Sequence, residues 1–180
     1  QPLYEPGGAA LVANGEIYNY VELRREMTDT PFRTQSDCEV PLWLYRRDGT
    51  DFARDLRGMY AIAIHDPAEA RLVLARDPFG IKPLYYVERD DLFAFASEPQ
   101  ALIAAGLVEP AIEGRQREEL LQLQFTTGGQ TIFSGIKRVL PGETVVIRGG
   151  RIVERRQRQA LPPGGPEQIG MDDAVKRLDD

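Results

Sequence analysis

The chain is poor in the residues that most often carry chemistry. Among 180 residues there is one cysteine, Cys38, and one histidine, His65. A single thiol cannot close an internal disulfide, so the default expectation is a reducing, cytoplasmic setting. A lone histidine has no partner for a catalytic triad and too few companions for a metal cage. His65, beside Asp66-Pro67, therefore reads as structural or surface, and no metal site is expected. No apolar run approaches the ~18 residues of a membrane span, so no membrane partner is expected. The N-terminal residues lack the charged-then-apolar pattern of a secretory leader. Net charge is −6 and no basic run tracks a phosphate backbone, which argues against nucleic acid as a partner. Lysine is confined to Lys82, Lys137 and Lys176, with arginine supplying most of the positive charge.

What remains is an ordinary globular composition, long enough for one domain that buries about two-thirds of its unfolded surface. It is organised around Leu11-Val12-Ala13-Asn14-Gly15-Glu16-Ile17-Tyr18-Asn19-Tyr20. An apolar run ends in Asn-Gly-Glu, and a helical pattern starts almost at once. By spacing alone this is a strand feeding a plain β-turn, because Asn-Gly is among the commonest turn dipeptides. The same residues allow a second reading. The side-chain amide of Asn14 and the backbone N–H of Gly15 could aim two donors at one oxygen, as an acyl-transfer intermediate requires.

Other elements follow from periodicity. Residues 9–13 suit a central strand. Tyr20, Leu23 and Met27 share a helical face, with Asn19 as N-cap and Glu22 positioned for a capping box. Residues 31–35 are short and extended. Ser36-Asp37-Cys38-Glu39 matches another capping box before a helix ending near Asp48-Gly49. In that helix Pro41 predicts a late start or a kink. Hairpins are expected at 59–64 with 72–75, at 84–87 with 92–96 (turn Arg89-Asp90-Asp91), and at 143–147 with 151–154. Helices are expected over 97–106, 115–125 and 171–178, the last with an apolar stripe that has nothing obvious to pack on. Pro162-Pro163-Gly164-Gly165-Pro166 reads as a linker. This mix indicates an α+β layered domain.

The string Asn14-Gly15-Glu16-Ile17-Tyr18-Asn19-Tyr20 resembles the signature of class II glutamine amidotransferases. These are the N-terminal-nucleophile glutaminases, and within them the string is most like the asparagine synthetases. Ser36-Asp37-Cys38-Glu39-Val40, Leu56-Arg57-Gly58-Met59-Tyr60-Ala61 and the stretch from Arg76-Asp77-Pro78-Phe79-Gly80 to Leu84-Tyr85-Tyr86 resemble the same family, in its order. The resemblance covers roughly residues 3–148. It implies the four-layer αββα sandwich of N-terminal-nucleophile hydrolases. It also implies that 1–160 is a partial glutaminase domain lacking its first strands and its terminal cysteine, with 161–180 as a linker and the start of a synthetase domain.

The resemblance assigns roles. The implied chemistry is glutamine hydrolysis by a terminal cysteine thiolate, with its own α-amino group as base and a thioester intermediate. Asn14 and Gly15 would form the oxyanion hole. Asp37 would grip the α-ammonium of glutamine, and Glu16 would line the amino-acid end of the pocket. ATP and Mg²⁺ would belong to the synthetase domain, with no cofactor in this chain and homodimerisation open. Cys38 sits at a helix start with no N-terminal amine beside it, and reads as a small core residue rather than the nucleophile. Residues 76–86 read as a rigid corner between strands. Two alternatives stay open: a glutaminase-like scaffold without a nucleophile that binds a partner, and a class II amidotransferase with a different acceptor.

Overall fold

The computed structural model describes residues 1–90, 92–161, 164 and 167–179. The expected turn residue Asp91 and the linker residues 162, 163, 165 and 166 lie outside these. A six-stranded antiparallel sheet runs in the order β1 (Leu3–Tyr4), β2 (Ala10–Ile17), β3 (Gly58–Asp66), β4 (Arg71–Arg76), β8 (Glu143–Arg148), β9 (Arg151–Gln157). A second sheet runs β6 (Phe93–Ala96), β5 (Tyr85–Glu88), β7 (Lys137–Arg138). Helices α1 (Tyr20–Glu26) and α2 (Glu39–Asp48) and a 3-10 helix (Gly49–Asp55) cover one side. Helix α3 (Pro99–Ala104) covers the other.

Residue size decides the layering. On β3, Tyr60, Ile62 and Ile64 face α2 and its neighbours, packing with Leu42, Trp43 and Phe52. The small residues Ala61 and Ala63 face the second sheet, where Leu84, Tyr86 and Val139 fill the gap. Beyond that sheet, Val87, Leu102 and Ile136 close the contact with α3. Three apolar layers separate four structural ones, giving an αββα sandwich. Helix α4 (Gly114–Leu123) stays outside with no buried residue. In α5 (Met171–Asp179), Met171, Val175 and Leu178 are exposed. No described helix is long and apolar enough to cross a membrane.

The central expectation about local structure is corrected here. Asn14-Gly15-Glu16 is not a turn: β2 continues through it to Ile17, with Gly15 opposite Tyr60 and Ile17 opposite Gly58. Glycine marks close approach of two strands. A Cβ on Gly15 would lie 2.6 Å from Tyr60 Cα and closer still to the Met59 carbonyl oxygen. One on Gly58 would collide with the Glu16 carbonyl in the same way. The chain changes direction only at Tyr18-Asn19. β2 is also not a fully covered central strand. Its burial alternates, and β1 pairs with it only at Ala10 and Leu11.

Two capping expectations change as well. Asn19 makes no side-chain cap. Its amide instead clasps the loop before β3, donating to Asp55 O at 2.8 Å and accepting from Arg57 N at 2.9 Å. Ser36 Oγ accepts from Cys38 N at 3.2 Å, but Glu39 overshoots the expected box and binds residues 33 and 34. Pro41 falls on the third residue of α2, where its missing N–H has no helical partner to lose. The expected late start is what occurs.

The corner after β4 is built from two adjacent charged residues. Asp77 is fully buried, and its carboxylate accepts from the amides of Tyr60, Phe79, Ile81 and Lys82 at 3.0–3.3 Å. Arg76 donates to the carbonyls of Gly80, Lys82 and Val139 at 2.7–2.8 Å. A turn with few main-chain partners of its own is thus held by side chains.

Candidate active site

The open edge of β2 organises the site. Beyond Leu11, β1 no longer covers it. The Gln1 carboxamide takes over at Ala13, donating to its carbonyl at 2.8 Å and accepting from its amide at 2.6 Å. Main-chain groups of alternate residues leave a strand on the same edge. Two positions on from Gly15, Ile17 N–H donates outward to Asp37 Oδ2 at 2.6 Å. The Cys38 thiol lies 3.9 Å from Gly15 O. Gly15 N–H, between Ala13 and Ile17, therefore leaves β2 on this edge and lies outside the β2–β3 ladder.

Side chains alternate across the strand. Leu11 and Ile17 are buried against the helices, and Val12, Asn14 and Glu16 are exposed on the other face. Asn14 lines a cavity of about 240 Å³ between the two sheets, with Ala61, Leu84 and Phe95. Glu16 and half-buried Asp37 share a neighbouring cleft of about 300 Å³ with Tyr20, Gln35 and Ser36. The two expected acids thus stand in one cleft, and Asn14 opens into the cavity beside it. Gly15 is the residue between them on β2.

Cys38 is buried, as expected. Burial and the adjacent Asp37 charge push its thiol up to about 11. At pH 8 its thiolate fraction is then only about one part in a thousand, against roughly a quarter for a free cysteine. Iodoacetamide at pH 8, followed by mass spectrometry, should therefore modify the folded chain far more slowly than the urea-unfolded chain. Equal rates would contradict this environment.

Glu39, 2% exposed, supports the loop that carries Asp37. Burial pushes its carboxyl up. The Arg33 amide, the Thr34 hydroxyl and amide, and the Trp43 indole outweigh that effect and hold it below its ordinary value of 4.5. The folded state therefore binds this proton less tightly than the unfolded state. The stabilisation is whole above pH 4.5 and is lost as pH falls through the folded value. Glu39→Gln should thus lower Tm at pH 7 and show a shallower decline between pH 5 and 3. A decline as steep as that of the unaltered chain would rule this out.

Comparison with known proteins fixes the family. Residues 1–157 match the glutamine amidotransferase domain. The chain belongs to that family. The amidotransferase domain is 41% identical over 151 residues to a glutamine-hydrolysing asparagine synthetase of Bacillus subtilis, covering 82% of this chain and 24% of that protein. A putative glutamine-hydrolysing asparagine synthetase of Mycobacterium tuberculosis is 35% identical, over 99% of this chain and 28% of its own length. The chain thus spans about a quarter of these relatives. The solved glutamine phosphoribosylpyrophosphate amidotransferase of B. subtilis, complexed with ADP and GMP, superposes with a TM-score of 0.62 at 25% identity, covering 87% of this chain and 31% of that one. The fold is that of the N-terminal-nucleophile hydrolases.

Sequence reasoning missed three contributors. The Gln1 carboxamide on the β2 edge has no pattern that would reveal it. Arg24 carries no signal of its own in the helical pattern of residues 20–27, and Glu39 read as a capping residue. The signal for Glu39 was present, since it lies next to the Ser-Asp pair, but its reach to residues 33 and 34 depends on the loop path.

Proposed function

We propose that this domain is the glutaminase part of a cytoplasmic amidotransferase of the asparagine synthetase type. In this reading residues 1–160 hold glutamine, and 161–180 lead into a synthetase domain. There ATP and Mg²⁺ activate a carboxylate, aspartate, for amidation by the released ammonia. Cys38 is not the attacking thiol in this reading, because it is buried and its thiol is pushed up to about 11.

The edge geometry supports the following roles. Glutamine's α-ammonium meets the Asp37 carboxylate, and Glu16 lines the same cleft. Asp37 Oδ2 already holds Ile17 N–H, which leaves Oδ1 for the ligand. The carboxamide carbon then lies near Asn14 and Gly15. Thiolate attack turns its carbonyl into an oxyanion, which accepts from Asn14 Nδ2 and Gly15 N–H. Ammonia leaves, and water releases glutamate through a second oxyanion at the same donors.

The observation that carries this reading is the Gly15 amide, left off the β ladder one residue from Asn14 and two from the Ile17–Asp37 clasp. The test is steady-state kinetics of the longer enzyme. Asp37→Asn should raise KM for glutamine by at least ~30-fold, as loss of a charge-assisted contact does, and leave ammonia-supported amidation intact. An unchanged KM would overturn the assignment of Asp37. The 180-residue chain by itself should release no ammonia from glutamine in a coupled assay. Cysteine-dependent release from it would contradict the assignment of Cys38.

A further inference from the structure

A buried polar cluster underlies the 33–36 loop. Glu39 accepts from Arg33 N and Thr34 N, each at 2.7 Å, and from Thr34 Oγ1 at 2.6 Å. Thr34 Oγ1 in turn accepts from Ser36 N at 3.1 Å. From α1, one Arg24 Nη donates to the carbonyls of Thr34 and Ser36, both at 2.9 Å. The Arg24 guanidinium lies 4.3 Å from the centre of the Phe32 ring.

The two charges serve the loop more than each other. Arg24 and Glu39 approach only to 3.8 Å, and Arg24 Nε is buried without a partner. An optimised ion pair would close that distance and satisfy that atom. Instead the carboxylate gathers the loop's amides and the guanidinium gathers its carbonyls. The loop has no strand pairing of its own, so these bonds fix its path. Its last residue leads directly to Asp37, whose Oδ2 closes on Ile17 N–H of β2.

We propose that Glu39, Thr34 and Arg24 are positioning residues for glutamine. They clamp the 33–36 loop from both sides and so set where the Asp37 carboxylate stands in the cleft with Glu16. This rests on the reading of Asp37 as the ammonium grip. The clamp governs substrate affinity and leaves the chemical step alone, because Asn14 and Gly15 are carried by β2, and β2 is registered by β3 over its whole length.

The test compares Glu39→Gln, Thr34→Val and Arg24→Lys with Asp37→Asn in the longer enzyme. KM for glutamine should rise about 10-fold in the three clamp variants, with kcat within about twofold and ammonia-supported amidation unchanged. Thr34→Val removes only a hydroxyl and keeps the side-chain shape. It carries the test if a charge variant fails to fold. If Asp37→Asn raises KM and a folded Thr34→Val does not, the positioning role is wrong. A fall in kcat at unchanged KM would also overturn it. If Asp37→Asn itself leaves KM unchanged, the reading of the cleft fails first, and the clamp with it.

Discussion

Gly15→Ala is expected to lower stability by at least ~3 kcal/mol, in the rare upper tail of single substitutions. The added methyl meets backbone on the neighbouring strand, at 2.6 Å from Tyr60 Cα and nearer to the Met59 carbonyl. Backbone cannot rotate away as a flexible side chain would. β3 is also fixed on its other edge by β4, from Ala61 to Asp66. Relief therefore means separating β2 from β3, which breaks the register that places Asn14 and Gly15. For a domain of this size the loss corresponds to a Tm lower by roughly 6–12 °C. Gly114→Ala is the matched control. A Cβ there meets nothing within 4 Å, and the residue opens α4. It should be neutral or slightly stabilising. Thermal unfolding of both variants decides the matter, and equal small effects would show that β2 and β3 are not in close approach.

Asp77→Ala is expected to cost at least ~3 kcal/mol by a different route, since a buried acceptor is removed from several donors at once. Four amides, of Tyr60, Phe79, Ile81 and Lys82, would lose the acceptor that the fully buried Asp77 carboxylate supplies. Asp77→Asn should recover only part of the loss. Its oxygen can still serve two of the amides, but its NH₂ faces the other two. Hydrogen exchange gives the specific readout: in Asp77→Ala the protection of the Phe79, Ile81 and Lys82 amides should collapse toward that of exposed loops. Retained protection would mean the corner is held by Arg76 and the prolines without Asp77.

Much of this was legible in the sequence, for identifiable reasons. The apolar runs of β3, β4 and β8 are buried on both faces, so their composition alone marks them as strands. The Gly149-Gly150 turn and the glycine stop at Gly106 carry their own backbone signal. The rigidity of the 76–86 corner was legible, though the physical agent, a buried carboxylate beside a guanidinium, was not. What failed was Asn14-Gly15-Glu16. A glycine that admits a turn and a glycine that admits a neighbouring strand look the same in one sequence. The discriminating fact, Gly58 across the sheet, lies 43 residues away and acts only through register. The family string still singled out these residues, because it depends on what they present and not on whether the chain bends there. Asn19 failed similarly: its amide found the main chain of Asp55 and Arg57, a non-local partner that local capping rules cannot weigh.

The most direct test of the oxyanion hole is Asn14→Ala in the longer enzyme. Glutaminase kcat and ammonia-supported amidation would be measured side by side, with Tm confirming the fold. Asn14 is exposed and its side chain supports nothing in the β2–β3 ladder, so the fold should be preserved. The account predicts a fall in glutaminase kcat of about 100- to 1000-fold, KM for glutamine nearly unchanged, and full activity with ammonia. A glutaminase kcat within a few-fold of the unaltered enzyme, in a folded protein, would show that the amide of Asn14 does not face the developing charge.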